Sequence, residues 1–102
     1  MAKDKVSIPK IKRSCPALCS ILKALSHPQR LMILSHLLHG PRTVSELTEL
    51  CDCTQSQMSH FLTRMRIEGL VAAERHGKFQ EYSLADERLE RVLKVLTTEY
   101  CG

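Results

Sequence analysis

Five thiols are the most reactive groups in this sequence: Cys15, Cys19, Cys51, Cys53 and Cys101. Cys15 and Cys19 stand at i and i+4, a spacing that puts both on one face of a helix, where two thiolates can chelate a soft ion. If helix-on-helix packing brought Cys101 to that pair, the three sulfurs would suit a metalloid or persulfide chemistry. Cys51 and Cys53 flank Asp52, and a soft metal or a covalent change there would move whatever element follows. Each reading has a plainer competitor. Free cysteine is also a small hydrophobe, and Cys15 and Cys19 recur with Leu18, Leu22 and Leu25 in one apolar stripe. Cys51 completes an apolar face with Val44, Leu47 and Leu50, and Cys53 suits a turn. Neither spacing has the specificity of paired C-x-x-C knuckles. The metal therefore stays unassigned, and a soft metal or metalloid on these thiolates is the one cofactor left open. His36 and His39, at i and i+3, fit imidazolium at the negative pole of a helix better than a metal pair, and His27 fits a turn. No nucleophile elbow, P-loop or HExxH helix is present, so catalysis is not expected.

A second set carries hydrogen-bonding chemistry. From Thr54 onward, Gln55, Ser56, Gln57, Ser59, His60, Thr63 and Arg64 alternate with Met58, Phe61, Leu62 and Met65. The apolar members recur at i, i+3, i+4 and i+7, so the polar ones face outward from a helix predicted over about 55–68. Ordinary exposed faces favour Glu and Lys, the strong helix formers. This one has no acid before Glu68. A duplex carries one negative charge per about 1.7 Å, so an acid-free face of medium-length donors and acceptors suits base edges and phosphates.

The elements that must position these groups follow from caps and periodicity. Ser14 followed by Pro16 reads as the start of a first helix, and Ser26-His27-Pro28 starts a second that stops near Gly40-Pro41. Thr43-Val-Ser-Glu46 and Thr54-Gln-Ser-Gln57 are capping boxes that open a third and a fourth helix. Only Asp52, Cys53 and Thr54 separate those two, the length of a helix-turn-helix connection. Residues 70–75 and 79–84 read as strands around the basic turn Arg75-His76-Gly77-Lys78. A hairpin placed there is a wing, whose Arg75, His76 and Lys78 can reach phosphates or a minor groove. Asp86 caps a last helix with Leu89, Val92, Leu93, Leu96 and Tyr100 on one side.

With 102 residues, 43% of them hydrophobic and 25% charged, the chain predicts a single globular domain. Aromatics are only 4%, which argues against reading single strands by base stacking. The formal charge is +4, and Lys3, Lys5, Lys10, Lys12 and Arg13 against Asp4 place that excess in residues 1–13. A flexible basic arm is expected there, ahead of a compact domain over 14–102. Nothing resembles a membrane span or a secretory signal, and an odd thiol count argues against a disulfide framework, so a cytoplasmic protein is expected. The first and last helices carry more apolar face than one small core uses, which predicts a homodimer matched to two DNA half-sites.

The stretch LKALSHPQRLMIL, the turn-helix TQSQMSHFLTRMRIEGLV and the hairpin ending EYSL resemble the ArsR/SmtB family of winged-helix repressors, over roughly residues 16–101. The chain is most similar to the sulfur-responsive branch related to biofilm growth-associated repressors, on Leu25-Ser-His-Pro-Gln-Arg-Leu31, TQSQMSHFL and the final Tyr100-Cys101. The resemblance implies an α-α-α-α-β-β-α winged helix-turn-helix, mainly α with a small β-hairpin, dimerised through its first and last helices. It also implies a promoter palindrome read by the fourth helix and wing, with DNA released on effector binding or thiol chemistry. That branch pairs its final cysteine with one on the second helix, where this chain has Ser35, so the usual intramolecular disulfide cannot form. Metal-sensing relatives carry C-x-C-D where Thr43, Val44, Ser45 and Glu46 stand here. Zinc-sensing relatives use histidines and acids on the last helix, which has no histidine, and Asp86 or Glu90 alone would make a poor zinc site.

The expected function is therefore a homodimeric repressor of double-stranded operator DNA, released by a thiol-reactive effector, whether metal, metalloid, reactive sulfur or redox signal. Two alternatives use the same fold: a cytosolic thiol metal carrier and a winged-helix protein-interaction module.

Overall fold

A computed structural model describes residues 6–101; Lys3, Asp4 and Lys5 of the expected arm lie outside the described residues. Two compact units divide the chain, Met1–Leu31 and Met32–Gly102.

In the first unit, α1 spans Ile8–Leu25. It begins six residues ahead of the expected start at Ser14. Ser7, in extended backbone, accepts a hydrogen bond from the Lys10 amide at 3.3 Å, and Pro9 sits in the first turn, where a missing N–H costs nothing. Residues 8–13, expected as a flexible arm, are therefore helical. Pro16 lies inside the helix, not at its start. It deprives the Lys12 carbonyl of its helical donor on an exposed stretch, where water can take that place. Ala24 and Leu25 are buried, whereas Cys15, Leu18, Cys19 and Leu22 are exposed.

Helix α2 spans Pro28–Leu37. Its cap is the His27 ring, whose Nδ1 accepts from the Gln29 and Arg30 amides at 3.2 and 3.5 Å. At its far end the His39 ring lies 3.2 Å from the Ser35 carbonyl.

In the second unit, α3 (Val44–Leu50) and α4 (Gln55–Ile67) each open on a complete capping box. Strands β2 (Val71–His76) and β3 (Phe79–Leu84) form the expected hairpin, and α5 covers Glu87–Cys101. One strand was not anticipated: β1, Arg42–Thr43, pairs antiparallel with β3, giving the order β1-β3-β2. Two residues are too few to show alternation, so α-α-α-α-β-β-α becomes α-α-β-α-α-β-β-α.

Ile33, Leu34, Leu37, Leu47, Met58, Leu62, Met65, Val71, Leu89 and Leu93 make the core of this unit. Each such side chain contributes about 1.5–3 kcal/mol when taken from water. Leu50 departs from its expected inward face and is exposed. No helix among the described residues is long and apolar enough to cross a membrane.

Candidate nucleic-acid interface

Helix α4 is fixed on its inner side by Met58, Leu62 and Met65, all fully buried. At about 100° per residue, Ser56, His60, Thr63 and Ile67 then point directly away from the core. Gln55, Ser59 and Arg66 line one flank of that face, and Gln57 and Arg64 the other; all nine are exposed. The sequence reading missed two members. Arg66 stands seven residues after Ser59, on the same flank, and Ile67 is 78% exposed at the helix end.

Two of the expected DNA contacts have a structural duty as well. The Thr54 hydroxyl accepts from the Gln57 amide at 3.1 Å, and Gln57 Oε1 accepts from the Thr54 amide at 2.9 Å. What they can still offer a ligand is the Thr54 O–H and the Gln57 side-chain NH2.

The turn ahead of α4 is held by backbone bonds. The Cys51 amide donates to the Leu47 carbonyl at 2.9 Å and the Cys53 amide to the Thr48 carbonyl at 3.3 Å, with Asp52 between them at φ +52°. That is a left-handed helix ending with aspartate where glycine is usual. Helix α4 ends in the same way on Gly69, at φ +79°, with Leu70 bonded back to Met65 at 2.9 Å. Helix α4 is therefore held by local hydrogen bonds at both its ends.

The wing turns on Gly77, at φ +61°, the first of two residues linking His76 to Phe79. Arg75 and Lys78 are exposed and make no ion pair among the described residues. His76 is placed differently from a free phosphate contact. Its Nε2 lies 2.8 Å from Glu74 Oε1 and 3.3 Å from Glu81 Oε1. Glu74 and Glu81 are direct cross-strand partners, so the ring sits between two like charges that would otherwise repel.

The thiols separate into distinct environments. Cys15 and Cys19 are exposed with their Sγ atoms 3.8 Å apart, and the shared hydrogen bond with Cys19 raises the Cys15 pKa. Cys51 is half-buried, and burial, reinforced by Cys53, raises its pKa, which fits a thiol closing the end of α3. Cys53 is half-buried and Cys101 exposed. No group of three His, Cys, Asp or Glu side chains able to hold a metal occurs among the described residues.

A two-helix corner, an acid-free outer face and a hairpin wing form a regulatory DNA-binding architecture, and comparison with known proteins agrees. Residues 27–73, from the cap of α2 into β2, match the bacterial regulatory protein, arsR family. The HTH-type transcriptional regulator YgaV of Escherichia coli K12 is 35% identical over 95 residues, covering 92% of this chain and 96% of that protein. The chain belongs to the ArsR family. Among solved ArsR-type structures, the transcriptional repressor BigR from Xylella fastidiosa is similar at a TM-score of 0.88 and 28% identity, with 95% of this chain and 99% of that one covered. The homodimeric winged helix-turn-helix DNA-binding domain of Mb0332 from Mycobacterium bovis, a possible ArsR-family regulator, is similar at a TM-score of 0.77 and 27% identity, covering 93% and 87%. This ArsR-family chain is thus a transcriptional regulator with a winged helix-turn-helix fold.

Proposed function

We propose that this regulator is a repressor that binds double-stranded operator DNA as a homodimer and lets go when an effector engages its thiols. The observation that carries the reading is the outer face of α4. Ser56, His60, Thr63 and Arg64 are exposed together, with no acid between Gln55 and Ile67. In this reading α4 enters the major groove, with Gln55, Ser59 and the free amide of Gln57 at its flanks, and Thr54 meets a phosphate at its start. Arg75 and Lys78 add wing contacts, while the His76 ring bridges Glu74 and Glu81 across the hairpin and reaches DNA from there.

The dimer uses α1 and α5. Val92, Leu96 and Tyr100 lie exposed on the stripe that Leu89 and Leu93 begin, and Leu18 and Leu22 are exposed on α1. Apolar surface left on two helices of so small a chain favours a second copy. The reading assigns the protein to the cytoplasm and gives it no catalytic step.

Footprinting on fragments of the genome tests the proposal. A repressor protects two related half-sites centred about one helical turn apart. Protection that follows no sequence, or none at all, would instead favour the metal-carrier or protein-interaction alternative.

A further inference from the structure

We propose that Cys15 and Cys19 of α1 form a two-thiolate chelate for a soft divalent cation. Their Sγ atoms lie 3.8 Å apart on a face of α1 that is exposed in the single chain and adjoins the Leu18–Leu22 stripe of the proposed dimer. A zinc-sized ion about 2.3 Å from each sulfur, with tetrahedral angles, spans a sulfur–sulfur edge of about 3.8 Å, and a larger soft ion needs only a few tenths of an ångström more. The pair is therefore already set at the separation a one-atom bridge requires.

Direct oxidation is the competing fate, and helix geometry opposes it. A disulfide needs Cβ atoms about 3.5–4.5 Å apart, whereas i and i+4 neighbours on a helix keep theirs about 5–6 Å apart. Closing that bond means distorting a turn of α1, and capturing an ion does not. Lys12 and Lys23 flank the pair on this face by helical spacing, and because the contact with Cys19 raises the Cys15 pKa, deprotonation there is driven by capture of the ion itself.

The binding step is balanced without an oxidant. Two metal–sulfur bonds form, both thiol protons leave to solvent, and sulfur keeps its oxidation state. Water or a small thiol fills the remaining positions, since no three-residue metal group occurs among the described residues. The chelate itself needs only α1; its use as a signal rests on the operator-binding dimer proposed above, because an ion on α1 would load a dimer helix.

Cadmium(II) is the probe, read by sulfur-to-cadmium charge-transfer absorbance, with circular dichroism checking that helix content is kept. The Cys51→Ser/Cys53→Ser/Cys101→Ser protein retains only the α1 pair. It is expected to take up one ion per chain and to release two protons. Adding Cys15→Ser or Cys19→Ser, both at exposed positions, is expected to weaken binding by about 100-fold or more, because the second ligand no longer acts at high effective concentration. A triple variant that shows no charge-transfer band, or a band that survives Cys15→Ser, overturns the proposal. Operator affinity, measured separately with and without cadmium, distinguishes the two readings. Failure to bind operator in metal-free buffer faults the function, whereas a missing charge-transfer band faults the chelate alone.

Discussion

His60 stands at the middle of the outward face of α4, exposed, while its neighbour Phe61 turns half inward with the ring centroids 6.5 Å apart. If it reads a base edge, His60→Ala lowers operator affinity by about 1–3 kcal/mol and leaves random-sequence affinity unchanged. Parallel fluorescence titrations on the two DNAs check this, and equal loss on both would make it a phosphate contact. Glu46 offers a pH test. The Thr43 amide donates to its carboxylate at 2.8 Å and holds its pKa below the usual range. A depressed carboxyl stabilises the fold above the ordinary carboxylate pKa and loses that contribution as pH falls through the folded value. Urea unfolding of Glu46→Gln, which retains the box as an amide, is expected to lack this part of the acid limb, so the two proteins converge at low pH. Both capping boxes were legible in the sequence because their partners lie three residues apart. The clamp of Glu74 and Glu81 on His76 was not, since those carboxylates meet only once the hairpin register exists.

At the scale of elements, local signals succeeded where the bonds are local. The turn of Asp52, Cys53 and Thr54 and the span of α4 follow from a cap, a periodicity and Gly69. They failed where two starts competed: Ser14 with Pro16 reads as a helix entrance, but Ser7 with Pro9 supplies an earlier one. They were silent on β1, whose pairing with Glu81 and Tyr82 is a tertiary event. The left-handed backbone at Asp52 also has no sequence signature comparable to glycine. Asp52→Gly removes the Cβ penalty at that position and is expected to raise stability by about 0.5–1 kcal/mol. Chemical denaturation measures it, and a loss of stability would show that the aspartate side chain holds the turn.

At the scale of the whole molecule, the apolar stripe of α5 is the feature the sequence showed most plainly, and the monomer leaves part of it in water: Tyr100 is 85% exposed. Placing a charge there with Val92→Asp is expected to yield a monomer by sedimentation and to weaken operator binding by about 100-fold or more, since two half-sites are then no longer read together. Retained dimerisation would move the interface elsewhere. The central claim, sequence-specific recognition of duplex DNA, is tested most directly by competing the footprinted operator against a random duplex of equal length across a range of salt. A preference of about a thousandfold or more is expected, with both affinities falling steeply as salt rises. Equal affinity for the two duplexes at every salt concentration would contradict it.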